Sequence, residues 1–134
     1  MGTSVVIDAN VVIRAIVGDA EAKQWLRRGW SGELDLEAPD LILAETGNAL
    51  SVYVRTGKLV LADARESLQR LFAEPIRLTA AQALVLPALA VAVERGLSLY
   101  DACYAVLAER LDAVLVTADK DLAAATPGSV LLSG

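Results

Sequence analysis

Four carboxylates stand in apolar company in this sequence. Asp8 interrupts the run Val5-Val6-Ile7-Asp8-Ala9-Asn10-Val11-Val12-Ile13, with Asn10 two residues behind it. Glu45 sits in Leu41-Ile42-Leu43-Ala44-Glu45-Thr46-Gly47-Asn48, and Asp101 in Leu97-Ser98-Leu99-Tyr100-Asp101-Ala102-Cys103-Tyr104. Asp119 follows Ala113-Val114-Leu115-Val116-Thr117-Ala118, with Asp121 just beyond it. On a helix, Glu45 shares its face with Leu41, Ile42, Asn48 and Ala49, and Asp101 shares its face with Leu97, Ser98, Tyr104 and Ala105. An unpaired buried carboxylate is unfavourable, because desolvation favours its neutral form and like charges repel. A cluster of them becomes tolerable around a divalent cation. An all-oxygen donor set selects Mg2+ or Mn2+ over metals that prefer sulfur or imidazole. Such an ion lowers the pKa of a bound water and neutralises a phosphate, which opens a route to phosphodiester hydrolysis.

Taken singly, each residue also has a plainer explanation. Asp8 suits a turn or a helix cap. Glu45 suits a half-buried partner of an arginine. Asp101 falls in the first turn of its helix, where the helix dipole favours a carboxylate. Asp119 and Asp121 read equally well as turn and cap residues. Cys103, Tyr104 and Trp25 read as packing residues, and Arg27-Arg28 as solvated surface. Spacing alone does not bring the four acids together, so the elements that carry them decide the matter.

Ser4 to Asp8 is short, β-branched and bounded by polar residues, as a buried strand is. A short helix is expected over Val11 to Val17, and another from Asp19 or Ala20 to Gly29. Leu34 to Glu37 reads as a strand. Asp40 is placed to cap a long helix from Leu41 to about Thr56, with Gly57 closing it. Gly47 inside that helix lowers its stability and leaves room for another backbone to approach. A helix over Leu61 to Ala73 and a strand over Ile76 to Leu78 follow. Thr79 is expected to cap a helix over Ala80 to Arg95, which Pro87 should kink or split and Gly96 should end. Ser98 caps a helix over Leu99 to Leu111. Ala113 to Thr117 is a second buried strand, then come a short helix over Asp119 to Ala124 and a last strand over Ser129 to Leu132. The alternation predicts an α/β fold with a mostly parallel sheet and helices on both faces. Ligands of such sheets bind beyond the carboxyl ends of the strands, where Asp8 and Asp119 fall.

Composition bounds the chemistry further. The 134 residues suit a single domain spanning 1–134, and 55% are hydrophobic but only 4% aromatic, so Ala, Val, Leu and Ile must build the core. No apolar stretch approaches the roughly 20 residues of a membrane-spanning helix. No basic leader precedes the first apolar run, so a signal peptide is not expected. With one cysteine, Cys103, no internal disulfide can form, and a cytoplasmic location is the simple expectation. The chain has no histidine, which removes Ser-His-Asp and Cys-His catalysis and the usual zinc sites. A formal net charge of -5 counts against a simple nucleic-acid-binding module.

Four stretches together, "VVIDANVVI", "APDLILAETGNAL", "GLSLYDACYAVLAERL" and "AVLVTADKDL", resemble the PIN-domain family, in order and at similar spacings over nearly the whole chain. Within it they resemble the VapC-like toxins of bacterial and archaeal toxin–antitoxin systems. The resemblance implies a three-layer α/β/α sandwich with a metal-dependent endoribonuclease site. Asp8, Glu45, Asp101 and Asp119 match the family's acidic quartet, as catalytic residues and as ligands of Mg2+ or Mn2+, with Asp121 a possible auxiliary ligand. Asn10, Asn48 and Thr117 match its polar supporting positions. RNA is the implied substrate, with Lys120 and Arg14 as candidate contacts to its backbone. The implied partners are a second copy of the chain and an antitoxin whose basic tail blocks the acidic cleft. Two rivals remain at this point. One is a phosphoryl-transfer enzyme of the haloacid-dehalogenase type, which usually carries an aspartate where this chain has Asn10. The other is a PIN-like scaffold that binds without cutting.

Overall fold

The computed structural model describes residues 2–134. Its elements run β1 (Thr3–Ile7), α1 (Ala9–Ile16), α2 (Ala20–Trp30), β2 (Leu34–Pro39), α3 (Leu41–Arg55), α4 (Leu61–Ala73), β3 (Ile76–Thr79), a 3-10 turn (Ala81–Ala83), α5 (Val85–Arg95), α6 (Leu99–Leu111), β4 (Val114–Thr117), α7 (Lys120–Ala125) and β5 (Val130–Leu131). The five strands form one sheet in the order β3-β2-β1-β4-β5, and every pairing is parallel. Val5, Val6 and Ile7 of the central strand are buried, as a strand covered on both faces requires. Parallel strands need crossover connections, which the helices supply. The helices pack in two groups, α1 with α2 and α3 and α3 with α4 in one, α5 with α6 in the other. Right-handed crossovers set these groups on opposite faces of the sheet, giving the expected three-layer α/β/α sandwich. One hydrophobic core runs from Val5 to Leu132 and takes in all seven helices.

The chain runs outward from β1 to β2 to β3, then returns past β1 to β4. The strand order therefore reverses between β1 and β4. In this register Val6 pairs with Leu115 and Ile7 with Val116, so Asp8 and Thr117 leave the sheet side by side.

Local expectations differ from the structure at several places. The first helix starts at Ala9 rather than Val11, because the Asp8 carboxylate caps it by accepting the Ala9 N–H. Asp40 does not cap α3. Its backbone is already helical, and its Oδ1 instead accepts the Ala81 N–H at 2.9 Å, tying the exit of β2 to that of β3. Thr79 is the last residue of β3 rather than a cap, and its carbonyl accepts the Asp40 N–H. The expected helix over Ala80 to Arg95 is split at Leu84, upstream of Pro87. Pro87 then lies in the first turn of α5, where the missing N–H has no partner to lose. Gly47 meets the Leu68 side chain of α4, at 3.6 Å from where a Cβ would stand, and not another backbone. Two end signals hold as expected: Gly96 closes α5 in the left-handed conformation, and the Ser98 hydroxyl accepts the Asp101 N–H at the start of α6.

Candidate functional site

Asp8 lies in the crevice where the strand order reverses, the place where open parallel sheets bind ligands. It is 4% exposed. Its Oδ1 accepts the Ala9 N–H at 2.7 Å, and its Oδ2 accepts from Thr117 Oγ1 at 2.8 Å and Asn10 Nδ2 at 3.0 Å. Asn10 turns its amide oxygen to the Ala118 N–H at 2.9 Å, so one side chain joins the end of β1 to the end of β4. Thr117 is fully buried, and its hydroxyl also accepts the Asp119 N–H at 3.0 Å. Asp119 caps α7, its Oδ1 accepting the N–H groups of Asp121 and Leu122. For Asp8 and Asp119, the capping role and a place in the cleft coexist in one carboxylate.

Asp8, Asn10, Glu45, Asn48, Asp101 and Asp119 line a single cleft of about 240 Å³, with Ala9 and Ile13. Four separate segments thus deliver the four acids to one place. No lysine or arginine lines the cleft, and none of the ion pairs among the described residues involves these acids. Thr117 lies beneath the lining, bonded to Asp8. Asn48 is exposed on the turn of α3 after Glu45. Asp121 does not line the cleft: its N–H is held by Asp119 in the first turn of α7, and its side chain is exposed. The two candidate cations are not in the cleft either. Arg14 donates to the Ser133 carbonyl at 2.7 Å and pairs with Asp19, and Lys120 is exposed at the start of α7.

Tyr104, expected to be a packing residue, is fully buried in the core, but its hydroxyl also donates to Glu45 Oε1 at 2.7 Å. A signal for this was present, since Tyr104 falls one helical turn after Asp101 on the same face. Glu45 therefore has a phenol where an arginine partner was an open alternative.

The electrostatics match this crowding. Burial, with Asp101 and Glu45 nearby, pushes Asp8 up to about 7, although its bond from Thr117 works in the opposite direction. Burial raises Glu45 too, against the Tyr104 bond and with Asp101 adding to it. Burial and the facing Asp119 raise Asp101. A cation in the cleft would relieve all three, and a lining of carboxylate and amide oxygens is the chemistry of Mg2+ or Mn2+. The residues fit such an ion in donor type. Among the described residues, however, no three acidic side chains are gathered tightly enough to hold one as they stand, so they form an open cleft rather than a closed cage.

Comparison with known proteins follows the same line. A family model described as "PIN domain" matches residues 5–126. The chain is 30% identical over 127 residues to "Ribonuclease VapC3" of Pyrobaculum aerophilum, covering 93% of this chain and 96% of that protein. It is 40% identical over 94 residues to "Exonuclease VapC9" of the same organism, covering 67% of this chain and 66% of that protein. A crystal structure of a Pyrobaculum aerophilum protein superposes with a TM-score of 0.76 at 31% identity, covering 97% of this chain and 91% of that one. A toxin–antitoxin complex from Klebsiella pneumoniae shares the fold, with a TM-score of 0.66 at 21% identity over 94% of this chain and 95% of that one.

Proposed function

The chain belongs to the PIN-domain family, and from that premise we propose that it is a metal-dependent endoribonuclease, the toxin of a toxin–antitoxin pair. One observation carries the reading: four carboxylates from four separate segments line one cleft that contains no cationic side chain. The ribonuclease named among its relatives, matched over nearly its whole length, supports RNA as the substrate. The haloacid-dehalogenase alternative lapses, because Asn10 stands where its second acid belongs and is committed by hydrogen bonds to Asp8 and Ala118.

Asp8, Asp101, Asp119 and Glu45 would hold Mg2+ or Mn2+, which supplies water activation and charge neutralisation at the phosphate when bound. The protein's own groups then divide the work. Thr117 and Asn10 fix the Asp8 carboxylate, as outer groups do around metal ligands. Glu45 orients the water that attacks phosphorus in line, opposite the departing 3′ oxygen. Asn48, exposed where it lines the cleft, would meet a phosphate oxygen.

The test is RNA cleavage with Mg2+ or Mn2+ by the parent chain, Asp8→Asn and Asp101→Asn. A loss of about 100-fold or more is expected in each variant, with folding checked by circular dichroism. Two folded variants of undiminished activity would end the metal-site reading. One relative is named an exonuclease, which raises a second mode of cutting. A covalently closed circular RNA separates the two, because only an endonuclease can open it.

The partner reading follows from charge. A cleft with four acids and no cation suits the basic tail of an antitoxin, and a structural relative was solved in a toxin–antitoxin complex. A homodimer and a cytoplasmic site of action complete the proposal. Among the described residues no helix is long and apolar enough to cross a membrane.

A further inference from the structure

The four carboxylates are not held alike. Asp8 accepts hydrogen bonds from Ala9, Asn10 and Thr117, and Asp119 from two backbone N–H groups of its own helix. Among the described residues, the Glu45 carboxylate has a single hydrogen-bond donor, the Tyr104 hydroxyl at 2.7 Å. Glutamate has one more rotatable bond than aspartate, so an untethered Glu45 would spread over more rotamers.

The bond also joins two different helices, α3 and α6. α3 packs chiefly on α1 and α4, whereas α6 packs on α5 and on β1, β2 and β4. The Glu45–Tyr104 contact links two helices that are not principal packing partners. Tyr104 is suited to this, because its ring is fully buried in the core and so has one place to be. Its hydroxyl is the donor of the pair, because a carboxylate oxygen accepts. Asp101 sits one turn earlier on the same helix and lines the same cleft. α6 therefore carries both one candidate ligand and the group that orients another.

We infer that Tyr104 is a positioning residue: its hydroxyl fixes Glu45 in the cleft and so sets how well the carboxylates gather a divalent cation. This rests on the metal-dependent reading above. Tyr104→Phe isolates the hydroxyl, because phenylalanine fills the same place in the core.

Mn2+ binding is measured by calorimetry on the parent chain, Tyr104→Phe, Glu45→Ala and the double variant, alongside RNA cleavage. Tyr104→Phe is expected to weaken Mn2+ binding by about 10-fold or more and to lower kcat with KM for RNA unchanged. The effect should vanish when Glu45 is already alanine, since a group acting through Glu45 has nothing left to orient. Glu45→Asp provides a second route, as the shorter side chain retreats from the hydroxyl while Tyr104 stays packed, and it should show a similar loss. Tyr104→Phe binding Mn2+ like the parent, or losing as much again in the Glu45→Ala background, would overturn the inference. If the parent chain itself bound no Mn2+, the metal reading would fail first, and this inference with it.

Discussion

Asp8 shows at the scale of one residue how the candidate site conflicts with stability. It is buried with acidic neighbours, and its pKa rises from 3.8 to about 7. Between those values the folded state holds a proton that the unfolded chain has released. The stability Asp8 contributes is therefore complete below about pH 4 and is lost as pH climbs through about 7. With EDTA present, Tm should fall between about pH 4 and about pH 7, and added Mn2+ should recover more of it at the upper end. A Tm gain from Mn2+ that did not grow with pH would contradict the placement of the ion beside Asp8. Thr117→Val tests the support beneath. It removes a buried donor to Asp8 and the acceptor of the Asp119 N–H, at an expected loss of about 1–3 kcal/mol in urea unfolding. The same change removes the bond that holds Asp8's pKa down, so Mn2+ binding, which competes with that proton, should begin at higher pH. The identities of these residues were legible in the sequence. That one carboxylate both caps α1 and lines the cleft was not, because its buried partner Thr117 comes from β4, more than a hundred residues away.

At the scale of the element, two helical glycines separate by what stands opposite them. A Cβ added to Gly47 in α3 would meet Leu68 at ordinary contact distance, so Gly47→Ala should raise stability by about 0.5–1 kcal/mol through the helix itself. In α2, a Cβ on Gly29 would come within 2.4 Å of Leu36, whose side chain is itself buried. Gly29→Ala should therefore destabilise by about 1–3 kcal/mol despite the better helix propensity. Urea midpoints of the two variants should move in opposite directions. Helix propensity alone does not distinguish the two positions, and only the neighbouring element tells them apart. The same limit explains the start of α5. Thr79, Asp40 and Pro87 were each legible as punctuation, but the bond from Asp40 to Ala81 comes from the neighbouring strand exit and falls outside any local pattern.

At the scale of the whole molecule, one core joins both helical layers to the sheet. Far-UV circular dichroism and tryptophan fluorescence should then report one urea midpoint. Both tryptophans, Trp25 and Trp30, lie in α2, so separate midpoints would mean that α2 leaves the core on its own. The sheet order also explains the location of the cleft, since the reversal between β1 and β4 opens a crevice at their carboxyl ends. By itself the sequence determined the α/β class, the alternation of elements, the lack of histidine chemistry and the four acids in apolar company. Each of these is a matter of residue type and short-range period. Only the tertiary structure decided that the four acids share a cleft, that Asp121, Arg14 and Lys120 stay outside it, and that Tyr104 reaches Glu45. Those outcomes depend on strand order and helix placement, which are fixed by burying one common core rather than by any single segment.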